Sequence, residues 1–248
     1  MAVLQPSNPV MKEKTFADAR VLGAGEAMTL NGTVNKTGFL LILAVLTASW
    51  TWNLVRSGEP GAAGLPLIVG LIGGLIVAVA TVFKPAWSPI TAPLYSLLEG
   101  LVLGGISALF ESRFPGIAVQ AVMLTLGTLV LMLVLYRTRI IQATEKFKMG
   151  VVAATGAICL IYFVSLILGF FGVQIPKIYE AGPIGIVFSL VVVGIAALNL
   201  ILDFDLIERG AAQGAPKYME WYGGFAVMVT LIWLYLEMLR LLSKLQRR

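Results

Sequence analysis

The chain has 248 residues, of which 58% are hydrophobic and 12% are charged. A soluble domain normally carries about 25% charged residues, so this composition excludes an ordinary soluble protein and indicates that the solvent is a lipid bilayer. The chain has no histidine and one cysteine, Cys159, which excludes internal disulfides, thiolate clusters, histidine metal sites and triads that use histidine. The net charge of +5 is spread over loops and the C-terminus. It favours contacts with lipid headgroups over nucleic-acid binding.

The first 38 residues are mostly polar and include several charged side chains. They contain no leading apolar segment followed by a cleavage site, so we expect no cleaved signal peptide. We predict that residues 1–38 form a cytoplasmic N-terminal segment and that the first span directs membrane insertion.

Seven apolar runs follow, each about as long as a helix that crosses a bilayer. They cover about residues 39–55, 65–83, 92–110, 117–136, 150–172, 184–202 or a little beyond, and 224–242. Lipid offers no partners for backbone N–H and C=O groups, so uninterrupted runs of about 20 apolar residues indicate helices. The connections are short and contain glycine and proline. The sequence therefore predicts an all-α polytopic protein, with a single seven-helix transmembrane domain over residues 39–248.

The distribution of lysine and arginine predicts the orientation. The loop after the fourth span, residues 137–148, holds four basic residues against one acidic residue, and the N-terminal segment is also basic. By the positive-inside rule both are cytoplasmic, which puts the N-terminus inside. Seven crossings then place the last basic residues outside, against the rule: Arg240, Lys244, Arg247 and Arg248. A re-entrant last segment, or another run that fails to cross, would remove this conflict, but we favour seven full crossings.

The third span contains three glycines, Gly100, Gly104 and Gly105. Small residues at this spacing let two helix backbones approach closely, so we interpret them as a packing surface. Glu99 lies in the same span, with Ser96 and Ser107 on roughly its own helical face. These three side chains fit either a small polar pocket or a structural role.

Four acidic residues lie inside or at the edge of a span, namely Glu99, Asp203, Asp205 and Glu237. A carboxylate inside a bilayer is costly unless it is protonated, paired or hydrated, so such residues are functional candidates. For Glu237 the structural alternative is a local ion pair with Arg240, three residues later. For Asp205 the alternative is a place near cytoplasmic water.

Asp203 is the most informative acid because Asn199 lies one helical turn before it. Two polar side chains on one stripe of an apolar helix are expected to face protein. If Asp203 and Glu237 meet, low polarity prevents both from being charged, and they would share a proton. Loss of that proton would cause repulsion or recruit a hard cation such as Ca²⁺, which prefers oxygen ligands. The pair is thus a candidate pH-sensitive latch, and we predict no fixed structural metal site.

Two motifs resemble those of the Bax inhibitor family, also called the transmembrane Bax-inhibitor-motif family, in its bacterial branch. They are LDFDLI at residues 202–207 and LYLE at residues 234–237. The resemblance implies a seven-helix bundle with a central last helix, and a calcium leak gated by a proton-sharing pair, here Asp203 and Glu237. It also implies a basic residue that competes for the acid of span six, for which Lys84 is the candidate.

Three features depart from the pattern that this resemblance implies. The second acid is glutamate rather than the usual aspartate, which lengthens the side chain. Asp205 stands where relatives often have asparagine or threonine. The stretch between Asp203 and Glu237 is also longer than expected for compact bacterial members.

The leading hypothesis is therefore a pH-sensitive Ca²⁺ leak channel in a bacterial cytoplasmic membrane, with protons and Ca²⁺ as its ligands. The alternative is a regulatory or scaffold protein that binds other membrane proteins, such as a quality-control protease, through residues 1–38. A proton-coupled carrier also remains open, since embedded acids serve as proton relays. We expect neither enzymatic activity nor a cofactor.

Overall fold

The computed structural model describes residues 27–58, 61, 64–172 and 180–247. Within these residues lie seven long α-helices: α1 Leu30–Arg56, α2 Gly64–Phe83, α3 Ser88–Arg113, α4 Ile117–Arg137, α5 Glu145–Phe170, α6 Pro183–Ala212 and α7 Met219–Gln246. A short 3₁₀ helix, Pro85–Trp87, precedes α3. All seven α-helices are long and apolar enough to cross a membrane. The prediction of an all-α polytopic protein is confirmed.

Several helices are longer than the apolar runs that predicted them. The first helix begins at Leu30 rather than near residue 39, because Thr29 caps it: the Thr29 hydroxyl accepts a hydrogen bond of 3.0 Å from the Gly32 N–H. At the other end of the chain, α6 continues to Ala212 rather than ending near residue 202. A hydropathy run marks the apolar part of a helix, whereas caps mark its ends. Residues 30–38 are therefore helical, while residues 1–26 lie outside the described residues.

The chain divides into two compact units. The first unit contains the described residues up to Ala118, together with Asp205–Val229. The second unit contains Val119–Phe204 and the chain from Thr230 onward. Both α6 and α7 contribute residues to each unit. The extent of the single transmembrane domain, residues 39–248, stays a prediction.

In the first unit, α3 packs against α1 and α2. A Cβ atom added at Gly100 would overlap the carbonyl group of Ala44, and one added at Gly104 would overlap the backbone of Ala48. Backbone atoms cannot move aside as a flexible side chain can. These glycines therefore allow α3 to lie directly on α1, as the small-residue pattern predicted.

We expect Gly104→Ala to lower the unfolding temperature of the purified protein by several degrees, because the new methyl group forces α3 away from α1. Gly127→Ala is the control, since Gly127 is also helical but has nothing within 4 Å of its added Cβ. Thermal unfolding in detergent would measure both variants. Equal unfolding temperatures for the two variants would contradict a close contact at Gly104.

A buried acid that sequence reasoning did not select, Glu220, joins the start of α7 to the start of α1 within the first unit. The Glu220 side chain is fully buried and accepts hydrogen bonds from the Thr29 N–H at 2.9 Å and from its hydroxyl at 2.8 Å. Lys36 forms an ion pair with Glu220, and Lys217 forms a second one at 3.3 Å. A Cβ added at Gly32 would overlap the Glu220 carboxyl group. Two cations and two neutral donors thus compensate the burial of this one charge.

The two lysines are expected to differ in their contributions. The Lys36 side chain is 19% exposed and the Lys217 side chain is 45% exposed, so water screens the second pair more strongly. We expect Lys36→Met to lower the free energy of unfolding by about 1.5–3 kcal/mol and Lys217→Met by less than about 1 kcal/mol. Chemical denaturation in mixed micelles would measure both. A larger loss of unfolding free energy for Lys217→Met than for Lys36→Met would contradict this order.

The last helix, α7, is the most buried of the seven described helices. In its most apolar stretch 72% of the residues are buried, against 17–44% in the others. The central position that the family resemblance implied stays a prediction. The reason for this burial is visible in the sequence of α7, where polar and charged side chains interrupt the apolar residues and need protein partners rather than lipid.

The end of α7 lies beside the first turns of α4 and α6 in the second unit. Lys244 Nζ donates to the carbonyl of Gly185 at 2.9 Å, and Gln246 Nε2 donates to Gln120 Oε1 at 3.4 Å. The helix is unbroken over 28 residues, which is about 42 Å at 1.5 Å per residue and longer than the hydrocarbon core. This geometry favours a full crossing over a re-entrant last segment. The cytoplasmic location of the N-terminus stays a prediction.

Candidate functional site: buried acids of the last two helices

Asp203 lies on α6 at a position where no water reaches its side chain. It is 0% exposed, and its Oδ2 accepts a hydrogen bond of 2.6 Å from the Thr230 hydroxyl on α7. One turn earlier, buried Asn199 donates from Nδ2 to the Thr155 hydroxyl on α5 at 2.9 Å. The polar stripe of α6 therefore faces protein, and it joins α5, α6 and α7 in the second unit through oxygen-rich contacts.

Glu237 lies on α7 in a second polar cluster. Its Oε1 accepts hydrogen bonds from the Tyr162 hydroxyl on α5 at 2.9 Å and from Arg240 Nη1 at 2.8 Å. Arg240 Nη1 also donates to the Tyr162 hydroxyl at 2.7 Å, which closes a triangle. The local ion pair between Glu237 and Arg240 is thus present, but Glu237 is only 2% exposed. Its second oxygen, Oε2, is buried and has no hydrogen-bond partner among the described residues.

The two acids occupy different depths along α7. Glu237 is hydrogen-bonded to Tyr162 and Arg240, whereas Asp203 is bonded to Thr230. Thr230 and Glu237 are two turns apart, about 10 Å along the helix axis. A proton shared directly by the two acids therefore requires Glu237 to leave Arg240 and turn toward Asp203. The shared proton stays a prediction.

A third polar contact, which the sequence analysis treated only as a topology signal, lies two turns beyond Glu237. Lys244 is 3% exposed, and its Nζ donates to the Gly185 carbonyl at 2.9 Å and to the Ser189 hydroxyl at 2.8 Å on α6. The signal for this contact was available, because a spacing of seven residues places Lys244 on the same face as Glu237. As Lys244 and Arg240 bind protein groups, they are weak evidence about which side the chain ends on.

The predicted pocket around Glu99 is not assembled by the contacts in the first unit. Glu99 lies against α2, where its Oε1 would be 2.9 Å from a Cβ added at Gly74. The Ser96 hydroxyl is buried and has no hydrogen-bond partner among the described residues. Ser107 donates to the carbonyl of Leu103 on its own helix. Glu99 therefore meets a glycine surface of α2, and a functional role for it stays a prediction.

The remaining candidates have local partners. Asp205 forms an ion pair with Arg209 one turn later on α6. Lys84 is exposed, and its ammonium group lies 4.3 Å from the centre of the Trp87 ring. Within the described residues, no group of three acidic or cysteine side chains is arranged to hold a metal ion. The competing role of Lys84 and the influence of Asp205 on the latch stay predictions.

Comparison with known proteins decides the family. A family model described as Bax inhibitor 1 like matches residues 8–247, which is nearly the whole chain. The chain belongs to the Bax inhibitor 1 like family. Both motifs that carried the resemblance, at residues 202–207 and 234–237, lie inside the match. No curated protein and no solved structure gives a match, so the local geometry of this Bax inhibitor 1 like protein comes from its own structure.

We expect Thr230→Val to destabilise this Bax inhibitor 1 like protein by about 1–3 kcal/mol, because it removes a donor from a buried carboxyl group. Thr138→Val is the matched control, since Thr138 is exposed, follows directly after the end of α4 and donates its hydroxyl to carbonyls of the last turn of that helix. Thermal unfolding in detergent would compare the two. In the Asp203→Asn background the cost of Thr230→Val should change, which a double-mutant cycle would measure. Full additivity would contradict the contact.

Proposed function

We propose that this Bax inhibitor 1 like protein is a passive, pH-sensitive cation pathway that lets Ca²⁺ leak across the membrane, with Asp203 and Glu237 at its gate. One observation carries the proposal: both acids are almost completely buried in membrane-spanning helices. A carboxyl group is costly at such depth and typically marks an ion or proton pathway. The non-functional alternative, a solvated charge at the membrane surface, does not fit either residue.

The chemistry around Asp203 suits a hard cation. Its carboxylate lies with the hydroxyl of Thr230, and one turn away the amide of Asn199 meets the hydroxyl of Thr155. Carboxylate, hydroxyl and amide oxygens are the groups that Ca²⁺ prefers, and several of them within one helical turn could replace part of its water shell. These residues would form the inner part of the pathway.

Glu237 supplies a route by which pH could act. In its charged form it attracts Arg240 and accepts a hydrogen bond from Tyr162. Protonation removes that attraction and releases the Glu237 side chain from Arg240. A neutral Glu237 can approach Asp203 and share a proton with it. The gate then has two arrangements, with Glu237 bound either to Arg240 or to Asp203.

A second candidate is a regulatory protein that binds other membrane proteins. The observation in its favour is that protein donors engage both acids, as expected if the acids serve only to hold helices together. Residues 1–38 are the segment that a partner such as a quality-control protease would bind. We place the chain in a bacterial cytoplasmic membrane with its N-terminus inside in either case, without enzymatic activity or a cofactor.

Ca²⁺ flux into proteoliposomes at several pH values tests the gate. We expect the flux through the wild-type protein to depend on pH. Asp203→Asn should change the flux several-fold, and Glu237→Gln should make the flux less dependent on pH. Glu145→Gln is the matched control. Glu145 also pairs with a base three residues later, Lys148, but its side chain is 64% exposed, so the same substitution should leave the flux unchanged.

Two outcomes would redirect the proposal. If no folded form conducts above empty liposomes, the binding role becomes the better explanation, and removing residues 1–26 should then abolish capture of the partner. If Ca²⁺ accumulates against its gradient when a proton gradient is imposed, the protein is a coupled carrier, because a leak can only dissipate a gradient.

A further inference from the structure

The ammonium group of Lys244 lies in a buried site whose ligands are oxygen atoms. The Gly185 carbonyl and the Ser189 hydroxyl accept its protons, and both residues are buried, with Ser189 at 0% exposure. Lysine is rarely buried to this extent, because removing an ammonium group from water is costly. At the last turns of a helix the side chain could extend into water at little cost, yet here it turns inward.

The ligands of Lys244 are of the kind that bind an alkali cation. A backbone carbonyl and a hydroxyl are neutral oxygen dipoles, and rings of such dipoles replace the water shell of monovalent cations in channel filters. An acid lies on the same face of α7, since Glu237 precedes Lys244 by two turns and keeps one buried oxygen, Oε2, without a hydrogen-bond partner among the described residues. Glu237 thus adds an acidic group to the face of α7 that carries Lys244.

We propose that Gly185 and Ser189 form a binding site for a monovalent cation at the end of α7, and that the ammonium of Lys244 occupies it as a tethered substitute ion. The occupied site then blocks the end of the cation pathway. This second step rests on the proposed function, whereas the first step does not.

The first step, a cation site formed by Gly185 and Ser189, is tested with an emptied variant, which lacks the ammonium group and to which an ammonium group can be added back chemically. Lys244→Cys, made in a Cys159→Ser background because Cys159 is exposed, removes the ammonium group. Reaction of the new thiol with an aminoethyl thiosulfonate restores an ammonium at nearly the length of lysine. Reaction with a propyl thiosulfonate, which fills the same space without a charge, is the control.

The unfolding temperature is measured in KCl or NaCl and in N-methylglucamine chloride at equal ionic strength. We expect K⁺ or Na⁺ to raise the unfolding temperature of the emptied variant by several degrees, because a ligand that binds only the folded state stabilises it. The Cys159→Ser parent and the aminoethylated protein should show no such rise, and the propylated protein should show none either. An emptied variant that responds to cations no more than its parent would overturn the proposal.

A second measurement keeps the proposal testable if the emptied variant cannot be purified. Ser189→Ala removes one oxygen ligand and keeps the lysine, so acylation of Lys244 by an amine reagent, followed by mass spectrometry, should become several-fold faster than in the wild type. Lys217, whose side chain is 45% exposed, reports the general rate of the reagent. An unchanged rate at Lys244 would argue against the site.

Measurement of Ca²⁺ flux distinguishes a failure of the cation site from a failure of the proposed channel function. If the site and the channel function both hold, Ca²⁺ flux rises several-fold in the emptied variant in N-methylglucamine chloride, where no alkali cation fills the site, and returns to the parent level after aminoethylation. A cation-dependent unfolding temperature without flux in any form would retain the site and overturn the channel. Flux that is present but unaffected by the emptied site would overturn the block.

Discussion

The structure depends on one constraint: a polar or charged group in a membrane-spanning helix must find its partner inside the protein, because lipid offers none. Among the described residues, the last helix carries three of the five charged residues that are buried, Glu220, Glu237 and Lys244. Glu220 is bound in the first unit by Thr29, Lys36 and Lys217. Farther along α7, the donors and acceptors of the second unit engage Thr230 and Glu237. The burial of α7 follows from this requirement.

The same constraint explains why the two acids of the family motif are informative although they do not bind each other directly. A membrane protein can stabilise its fold with apolar side chains alone, and replacing a buried ion pair by apolar residues is often neutral or favourable. Their burial therefore makes these two acids the candidates for the proposed gate. In the structure Glu237 is bound by Arg240 and Tyr162, and Asp203 is bound by the hydroxyl of Thr230.

Basic residues at the end of α7 can indicate the side of the membrane on which the chain ends, or they can bind groups within the protein. The positive-inside rule does not distinguish these two cases. Counted as loop residues, Arg240 and Lys244 indicate a cytoplasmic C-terminus. In the structure Arg240 is bound to Glu237 and Tyr162, and Lys244 is bound to Gly185 and Ser189. Their charges are thus used within the second unit. The conflict between seven crossings and the positive-inside rule becomes weaker for this physical reason.

The sequence alone determined the number of spans, the all-α class, the family and the glycine surface of α3. Each of these depends on local properties, namely apolar length, residue size and a short motif. Helix ends were misplaced where capping extends a helix beyond its apolar run, as at Thr29. Only the tertiary structure decided which side chain each polar group meets: Asp203 with Thr230, Glu237 with Tyr162, Lys36 with Glu220, and Lys244 with Ser189. The two residues of each of these pairs are far apart in the chain. A pattern along one helix cannot specify which residue of another helix lies at the same depth.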